Sequence, residues 1–561
     1  MQYEHHAIGV RRKLYGDPSL GIGNFLFKVL EQDVEKDRPL FYLEDAWASP
    51  VGRAYASLSL NEMHAVIGDL AAWYASQGVA QGNTVCVYTE EGISQFLHAV
   101  AVISLGAIPA PVNWRMRPNV AVEYFQKYRF DFLVVGRHGN ADWIKAVGLP
   151  EGVVLDAHAG GGTEMSSRPA HWPMEFGGND EVVMICHSSG TTGIPKAVLF
   201  AHHQFFFGKR ERLIEFLHGE SERMVSALPH SHSAGFSYLM TAVLLGMPTL
   251  VLSNLTGASV VDQLKHFQPT VVAAFPQTYS SIAEQAPEQG SLAFLRRCYN
   301  TGDTAHEMHI RTILNAAPEM RFFDGFGASE LGMALFGKES SLATGVTTGR
   351  CVGKPVKFAS VRIQNDSGRS LDPRDVGYVA IRSRSITPGY YLDQSLTARC
   401  RTDDGYWLTG DVGYLDESGA FFHLDRAVDV IETSAGPAYT LRLEECVLRH
   451  CAVDDATIVG VALTPLCSQI VVALVSVPVE EETGRCNKVL DVIDEQLREA
   501  FDVAIPVAVV NLNPSHDMAV GATGKALKRT LRDRFWEQYK MWLEGDRSEF
   551  HHVMFRNFAN Q

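Results

Sequence analysis

Short apolar, β-branched runs alternate with longer helix-like segments along most of this chain, and this alternation constrains the fold more than any other feature. The strand-like runs are Thr84–Tyr88, Phe132–Val135, Val182–Cys186, Leu250–Leu252 and Val271–Ala274. The helix-like segments include Leu60–Gln77 and Ser94–Leu105. Because parallel strands need long crossover connections, which are usually helices, the alternation predicts parallel sheets covered by helices.

The last third of the chain has a different pattern. From about Gly349 the pattern changes to short strands and Gly and Asp turns, as in Tyr378–Arg382 and Asp416–Phe422, which predicts a β-rich subdomain. Further on, helices are expected at Leu443–His450 and Val489–Phe501, followed by a basic run at Lys525–Arg534. We therefore predict an α/β fold in two domains. Residues 1–425 form a large N-terminal domain of layered α/β sheets plus the β subdomain, and residues 426–561 form a small α+β C-terminal domain.

The composition is that of an acidic globular protein. Of the 561 residues, 46% are hydrophobic and 20% are charged, so the chain can bury a large core. The net charge is −15, from 49 Lys and Arg against 64 Asp and Glu. Because a field of this sign repels polyanions, nucleic acid and anionic membranes are not expected partners.

The cysteines and the apolar stretches predict a cytoplasmic location. The nine cysteines include no CxxC pair, and Met1–Arg12 contains no apolar signal region, so the thiols are expected to be reduced. The most apolar stretches, Phe96–Val112 and Leu239–Leu255, are interrupted by Gly and Pro. Both are shorter than the roughly 20 apolar residues that span a bilayer, so no membrane crossing is expected.

A loop rich in Gly, Ser and Thr directly follows the run Val182–Cys186, and residues 187–196 read HSSGTTGIPK. Glycines let backbone N–H groups curl around an anion, and hydroxyl and ammonium groups add donors, so the loop suits phosphate binding. It lacks the spacing of a Walker A loop. The alternative is a flexible surface turn. The candidate phosphate-binding residues are Ser188, Ser189, Gly190, Thr191, Thr192, Gly193 and Lys196.

Three further motifs follow this loop along the chain. Residues 324–330 read DGFGASE, residues 409–411 read TGD, and Gly524 precedes Lys525. In this order and spacing the four motifs resemble the adenylate-forming (ANL) superfamily of acyl-CoA synthetases, peptide-synthetase adenylation domains and luciferases. Shorter matching blocks are residues 229–232 (PHSH), 352–355 (VGKP), 375–377 (DVG) and 387–391 (TPGYY). The likeness covers nearly the whole chain and implies an AMP-forming ligase that uses ATP and Mg²⁺ and has a mobile C-terminal domain.

The residue types in these motifs suit the chemistry that the resemblance implies. A carboxylate that attacks the α-phosphate of ATP brings anions together, so a metal ion and cations must neutralise charge. Glu330 is the candidate metal ligand, with a solvated surface charge as the alternative. Asp411 is expected to accept hydrogen bonds from both ribose hydroxyls, unless it is an ordinary turn aspartate.

The resemblance implies further roles by position. Phe326 stands where an aromatic ring stacks on adenine, with a core aromatic as the alternative, and Ser329 stands where a hydroxyl meets the α-phosphate. Lys525 matches the lysine that bridges the carboxylate and α-phosphate oxygens during catalysis. The other implied site residues are His232 at the mouth of the acid tunnel, Gly302 and Asp303 as weak nucleotide contacts, Arg426 on the ribose side, and Asp324 and Gly325. A lone histidine such as His232 is often a structural group instead.

The substrate is expected to be a non-amino carboxylic acid, aryl or aliphatic. Domains of the resembled family that activate α-amino acids usually place Asp after a Phe shortly beyond the PHSH block, whereas here Phe236 is followed by Ser237. Other enzyme classes are not supported. Residues 306–309 (HEMH) lack the HExxH spacing of zinc proteases, and the chain has no GxSxG elbow of an α/β-hydrolase.

The hinge between the predicted domains bears on the acceptor of the activated acid. The family pattern Gly-Arg-x-Asp-Asp-x-Ile-Lys-x-x-Gly becomes DRAVDVIETSA at residues 425–435. Val428 replaces the hinge carboxylate, Glu432 the lysine, and Ala435 the glycine of the pantetheine tunnel, although surface loops tolerate substitution. Transfer to a thiol of coenzyme A or an acyl carrier protein is favoured. Transfer to an amine or another non-thiol nucleophile, and an inactive nucleotide-binding scaffold, are the alternatives.

Overall fold

The structure is a computed structural model that describes residues 5–49, 52–136, 148–150, 152–158, 169, 171–178, 180–188, 194–219, 221–285, 288–303, 305–346, 349–453, 456–462, 468–511, 528–543 and 553–557. Its α-helices span Ile8–Gly16, Phe25–Leu30, Leu60–Ser76, Ile93–Ser104, Pro118–Lys127, His202–Phe206, Arg212–Glu215, Ser233–Leu245, Ala258–Phe267, Pro276–Glu284, Glu307–Ala316, Gln394–Arg399, Thr440–His450, Glu482–Phe501 and Lys528–Leu543. Its 3-10 helices span Phe207–Lys209, Ser329–Leu331 and Val479–Glu481.

Thirteen strands of the described residues form one large sheet. From edge to edge they are Ser360–Gln364, Gly377–Arg382, Trp407–Leu415, Phe421–Arg426, Cys351–Pro355, Ala334–Ser340, Arg321–Gly327, Arg297–Asn300, Val271–Ala274, Met224–Ala227, Thr249–Val251, Pro39–Ala48 and Ala54–Ser59. The strands from Arg321–Gly327 to Pro39–Ala48 pair in parallel, whereas those before Arg321–Gly327 in this order pair antiparallel. The large sheet thus joins the predicted parallel part to the predicted β-rich subdomain.

A second sheet supports the large one. Its four described strands, Ile108–Pro111, Thr84–Tyr88, Phe132–Val135 and Val154–Asp156, are all parallel. The Ile93–Ser104 helix contacts both sheets, and all of its residues are buried, including the polar Ser94, Gln95, His98 and Ser104.

An aromatic cluster fills the core beside this helix. Phe96 lies 5.1 to 6.0 Å, between ring centroids, from Phe25, Phe41 and Phe236, which come from two other helices and a strand of the large sheet. Burying each ring stabilises the fold by about 1.5–3 kcal/mol. The cluster therefore fixes the Ser233–Leu245 helix, which carries part of the cavity wall described below.

Capping explains where the first long helix begins. The Ser59 hydroxyl accepts a hydrogen bond from the Glu62 backbone N–H (3.2 Å), and the Glu62 carboxylate accepts one from the Ser59 N–H (2.9 Å). This reciprocal pair satisfies two of the backbone donors that a helix start leaves free. The Leu60–Ser76 helix then packs on the Ile93–Ser104 helix.

The remaining strands form smaller units. Val182–His187 and Ala197–Ala201 pair as an antiparallel hairpin whose connection carries the Gly-rich loop. Ile431–Thr433 and Gly436–Ala438 form a short ribbon. The C-terminal sheet contains Ala456–Ala462, Gln469–Val475, Val507–Asn511 and Val553–Arg556, and the last three long helices pack on it to form a small α+β domain with its own apolar cores.

Most predicted elements are confirmed. Thr84–Tyr88, Phe132–Val135 and Val271–Ala274 are strands as predicted. The segment Asp416–Phe422 combines a turn with the start of a strand, because the Asp416 carboxylate accepts hydrogen bonds from the backbone N–H groups of Ser418 and Ala420 and the strand begins at Phe421. Such side-chain bonds compete with strand pairing.

The predicted helices at 443–450 and 489–501 are confirmed but begin earlier, at Thr440 and Glu482. Their first turns are polar, so apolar periodicity did not mark them. The described cysteines form no disulfide bonds with one another. No helix of the described segments combines the length and the apolar run that a membrane crossing requires.

Candidate active site

One cavity of about 990 Å³ brings the predicted site residues together. Every predicted residue that the structure describes lines it: Ser188, Lys196, His232, Gly302, Asp303, Asp324, Gly325, Phe326, Ser329, Glu330, Asp411 and Arg426. The other predicted residues, Ser189, Gly190, Thr191, Thr192, Gly193 and Lys525, lie outside the described residues. The fold therefore brings side chains from motifs more than two hundred residues apart, such as Ser188 and Asp411, to one cavity.

Asp411 lies in the Trp407–Leu415 strand, opposite Arg426 in the neighbouring antiparallel strand. Arg426 Nη1 donates to Asp411 Oδ1 (3.1 Å), and His423 Nε2 lies 3.3 Å from the same oxygen. Burial alone would raise the pKa of Asp411, which is 3% exposed, but Arg426 and His423 hold that pKa well below its usual range. The carboxylate is therefore an ionised acceptor at the cavity wall.

His423 was missed in the sequence and belongs to the same wall. It is 7% exposed, and its ring centroid lies 4.9 Å from that of Phe326. Neither ring nitrogen has a hydrogen-bond partner of good geometry among the described residues. Phe326 also contacts Phe336 and Phe421, so it is held by aromatic rings on one side while it faces the cavity. The alternation of the Phe421–Arg426 strand, which places residues 423 and 425 on one face, was the available signal for His423.

Another part of the cavity wall comes from two neighbouring parallel strands, Arg297–Asn300 and Arg321–Gly327. Asn300 Nδ2 donates to Asp324 Oδ1 (2.7 Å) and to the carbonyl of Asp303 (2.8 Å), which ties the ends of two strands together. Burial raises the pKa of Asp324, although the Asn300 hydrogen bond opposes the shift. Gly302 has φ +86°, and a Cβ there would lie 2.4 Å from the Phe275 ring. Only glycine fits this position without moving the aromatic wall.

The described ends of the Gly-rich loop are held close together. The backbone N–H groups of Ser188 and Lys196 bond across the strand pair, Ser188 to the Lys196 carbonyl (2.9 Å) and Lys196 to the Ser188 hydroxyl (3.0 Å). The Lys196 ammonium lies 5.3 Å from the centroid of the Tyr390 ring. The cation therefore sits at the cavity wall, where it suits an anionic ligand.

Glu330 is the residue that could hold a metal ion. It lies in the Ser329–Leu331 3-10 helix, and Tyr390 Oη donates to its Oε1 (2.8 Å). No group of three or more His, Cys, Asp or Glu side chains in the described part of the chain could hold a metal by itself. Mg²⁺ is commonly held by one or two carboxylates plus phosphate oxygens and water, so Glu330 fits this ion when a nucleotide supplies the other ligands.

A second arm of the cavity is lined mainly by aromatic rings. His232 caps the Ser233–Leu245 helix, where its Nδ1 accepts a hydrogen bond from the Ala234 N–H (3.1 Å), and its ring meets Phe275 edge-on at 5.1 Å. The rings further along this arm are Phe216, Tyr238, Tyr299 and Phe323. Such walls suit the planar or apolar body of an organic acid.

The C-terminal domain closes one side of the cavity. Lys528 Nζ lies 2.8 Å from Glu444 Oε1, and the pair is buried. Arg532 forms an ion pair with Asp429. The apolar side chain of Val428 is 63% exposed. Ala435 is exposed and is not among the residues that line the cavity. The family pattern places the hinge carboxylate at position 428, and here the next residue, Asp429, supplies a carboxylate that forms an ion pair with Arg532.

Comparisons with known proteins agree with this geometry. The family model for AMP-binding enzymes matches residues 35–391. A 3-aminoavenalumate diazotase from a Streptomyces species is 32% identical over 94% of this chain and 98% of its own length. A 2-succinylbenzoate–CoA ligase from Bacillus cereus is 23% identical over 72% of this chain and 80% of its own. The o-succinylbenzoate coenzyme A synthetase of Bacillus subtilis, solved with ATP and a magnesium ion, has the same fold, with a TM-score of 0.75, 20% identity and coverage of 91% and 99%.

Proposed function

The chain belongs to the family of AMP-binding enzymes, and from this premise we propose that it joins a non-amino carboxylic acid to the AMP part of ATP. The observation that carries the proposal is the meeting of an ionised Asp411, the aromatic wall at Phe326 and the carboxylate of Glu330 at one cavity. An ATP molecule needs an acceptor for its ribose hydroxyls, a stacking surface for adenine and a metal ligand beside its phosphates. The cavity offers all three.

In the proposed reaction a carboxylate oxygen of the acid attacks the α-phosphorus of ATP. The bond between the α-phosphorus and its bridging oxygen breaks, and pyrophosphate leaves. Lys196 and Ser188 hold phosphate oxygens, and Asp411 fixes the ribose, so the two reacting groups are positioned without a covalent enzyme intermediate. Mg²⁺ held with Glu330 supplies charge neutralisation. Lys525 is assigned to the bridge between the carboxylate and the α-phosphate.

A thiol, from coenzyme A or an acyl carrier protein, is our first candidate for the acceptor. In the sequence, Val428 in place of the hinge carboxylate counts against a thiol acceptor. In the structure, Asp429 supplies a carboxylate at the hinge and forms an ion pair with Arg532, which supports this candidate. Ala435 is exposed and does not line the cavity, so its methyl group does not narrow the cavity itself. The relationship to a CoA ligase agrees with this acceptor.

A nitrogen acceptor is the second candidate, and the relationship to the diazotase favours it. In diazotisation the activated acid would be nitrite, whose oxygen attacks the α-phosphorus in place of a carboxylate. The amine then attacks the nitrosyl nitrogen, AMP leaves, and loss of water from the N-nitroso product gives the diazonium group. The same nucleotide site serves both candidates, so they differ only in the acid and the acceptor.

The test offers ATP, Mg²⁺ and a panel of aryl acids, aliphatic acids and nitrite, with pyrophosphate exchange as the readout. Coenzyme A and an arylamine are then added separately, and the products are identified by mass spectrometry. We expect exchange with at least one acid, followed by a thioester when coenzyme A is present. A diazo product from nitrite and the arylamine, with no thioester from any acid, would select the second candidate. If the protein binds ATP but catalyses no pyrophosphate exchange with any acid, the remaining alternative is an inactive nucleotide-binding scaffold.

A further inference from the structure

Two cations line the aromatic arm of the cavity without a carboxylate partner among the described residues. Arg212 begins a short helix, and Lys209 lies three residues before it. No described Asp or Glu lies within 4.0 Å of either side chain, the distance that defines an ion pair. Unpaired cations in a partly enclosed aromatic pocket are costly unless a ligand supplies the counter-charge.

The Arg212 side chain is oriented by neutral groups. Its Nη1 donates to the hydroxyls of Ser237 (3.0 Å) and Thr241 (2.8 Å), and its guanidinium lies 4.6 Å from the centroid of the Tyr238 ring. No hydrogen bond from Nε or Nη2 to a described residue is present. One edge of the guanidinium is thus held in place while donors on the other atoms stay available for a ligand.

Lys209 adds a second basic group near Arg212. It is 2% exposed and donates to the backbone carbonyls of Phe205 (2.6 Å) and Gly332. Burial lowers the pKa of Lys209 well below its usual value, and the nearby Arg212 charge lowers it further. An anion bound at this place would relieve both effects, since it favours the charged form of the lysine.

The position of Arg212 along the cavity separates it from the nucleotide. Ser237 and Thr241 lie five and nine residues after His232 on one helix. At about 1.5 Å per residue, they are roughly 7 to 13 Å further along the helix axis. With His232 at the mouth of the acid tunnel, as the family resemblance implies, this spacing suits the length of an aryl acid.

We propose that Arg212, assisted by Lys209, binds a second carboxylate at the far end of the acid substrate, so the chain selects aromatic dicarboxylic acids. The inference rests on the proposed function, because it deepens the substrate class of the same cavity. The carboxylate accepts two parallel hydrogen bonds from the guanidinium and carries the opposite charge. A neutral ester has no such charge and binds the guanidinium more weakly. Phe216, Tyr299 and Phe323 stack on one another and offer an apolar wall to the body of the acid.

The experiment measures binding rather than turnover. Terephthalate and 4-carboxycinnamate, each compared with the methyl ester of its distal carboxylate, are titrated calorimetrically into the protein with Mg²⁺ and α,β-methylene-ATP, which cannot form an adenylate. We expect each diacid to bind at least tenfold more tightly than its ester. Arg212→Met should remove this preference and leave ester binding within about twofold, and Arg212→Lys should restore part of it.

Arg53→Met is the matched control, because Arg53 is exposed and distant from the cavity lining, and it should change neither affinity. Circular dichroism and thermal unfolding check that the Arg212 variants are folded. Equal affinities of diacid and ester for the parent protein, or equal weakening of both in Arg212→Met, would overturn the inference. Arg212-dependent diacid binding without pyrophosphate exchange for any acid would instead overturn the proposed function and leave this inference standing.

Discussion

At the residue scale, Asp411 shows how a common turn residue becomes a specific acceptor. A carboxylate at 3% exposure would ordinarily be neutralised by burial, yet Arg426 and His423 reverse the shift. Arg426 is half-exposed, so it reaches the carboxylate from the solvent side, while the second carboxylate oxygen stays without an ion-pair partner among the described residues. That arrangement leaves acceptor capacity for a ligand.

Asp411→Asn should weaken ATP binding about tenfold, which corresponds to about 1.4 kcal/mol. The amide keeps the shape of the side chain but loses the charge and half of its acceptor capacity. Calorimetric titration with ATP and with 2′,3′-dideoxy-ATP gives the measurement. The parent should prefer ATP, and the variant should bind the two nucleotides with nearly equal affinity. A variant that still discriminates against the dideoxy nucleotide would show that Asp411 does not contact the ribose.

At the scale of elements, two helices join the large domain to the C-terminal domain. The Glu307–Ala316 and Thr440–His450 helices meet through Arg449 Nη2 and Glu307 Oε2 (2.7 Å), and through His306 Nδ1 and Glu445 Oε2 (3.2 Å). Burial and the neighbouring Glu445 raise the pKa of Glu307, while Arg449 opposes that shift. The two carboxylates repel each other, and Arg449 offsets this repulsion at Glu307.

Arg449→Ala should loosen the contact between these helices. Because Arg449 is 41% exposed, the pair is partly screened and the loss is about 1 kcal/mol or less. If the present orientation of the domains is the one that forms the adenylate, the rate of pyrophosphate exchange should fall by up to about fivefold. Limited proteolysis around residues 427–439 should become faster in the same variant.

The control for this prediction is Arg485→Ala. Arg485 pairs with Glu481 inside the C-terminal domain and does not touch the large domain through this ion pair. It should leave both the exchange rate and the proteolysis pattern close to those of the parent. The same change in both variants would mean that the effect comes from charge loss in the C-terminal domain and not from the contact between the helices.

At the scale of the whole molecule, the cavity is shared between the two domains. The large domain supplies the wall at Asp411, Phe326 and Glu330, and the C-terminal domain supplies Lys528 and Arg532 to its lining. Nucleotide binding and adenylate formation are therefore separable in principle. We expect binding to depend mainly on the large domain, whereas the proposed catalytic Lys525 falls in the segment that the sequence predicts as the C-terminal domain.

Lys525→Ala should reduce pyrophosphate exchange by at least about a hundredfold, the usual loss when one charge-stabilising donor is removed. ATP binding should stay within about threefold of the parent, since the residues that hold the nucleotide are intact. Saturating ATP should still raise the unfolding temperature of the variant by mass action. Lys357→Ala, at a surface away from the cavity, is the control. Parent-like exchange in Lys525→Ala would remove this lysine from the reaction.

The sequence by itself determined the class of the fold and the family, and it predicted which residues form the candidate nucleotide site. The alternation of strands and helices follows from local backbone preferences, and a motif is a short run of neighbouring residues. Both are therefore visible in the sequence without coordinates. Phe326, Glu330 and Asp411 were found in this way, and the structure places them at one cavity.

Only the tertiary structure decided which other side chains complete that cavity. His423 has no motif of its own and matters because antiparallel pairing places it opposite Gly413, two residues from Asp411, with its Nε2 3.3 Å from Asp411 Oδ1. Arg212 resembles any basic surface residue until the packing of the Ser233–Leu245 helix turns its guanidinium towards Ser237 and Thr241. The physical reason is the same in both cases: burial, ion pairing and charge without a partner depend on the three-dimensional neighbours of a residue, and those neighbours come from distant parts of the chain.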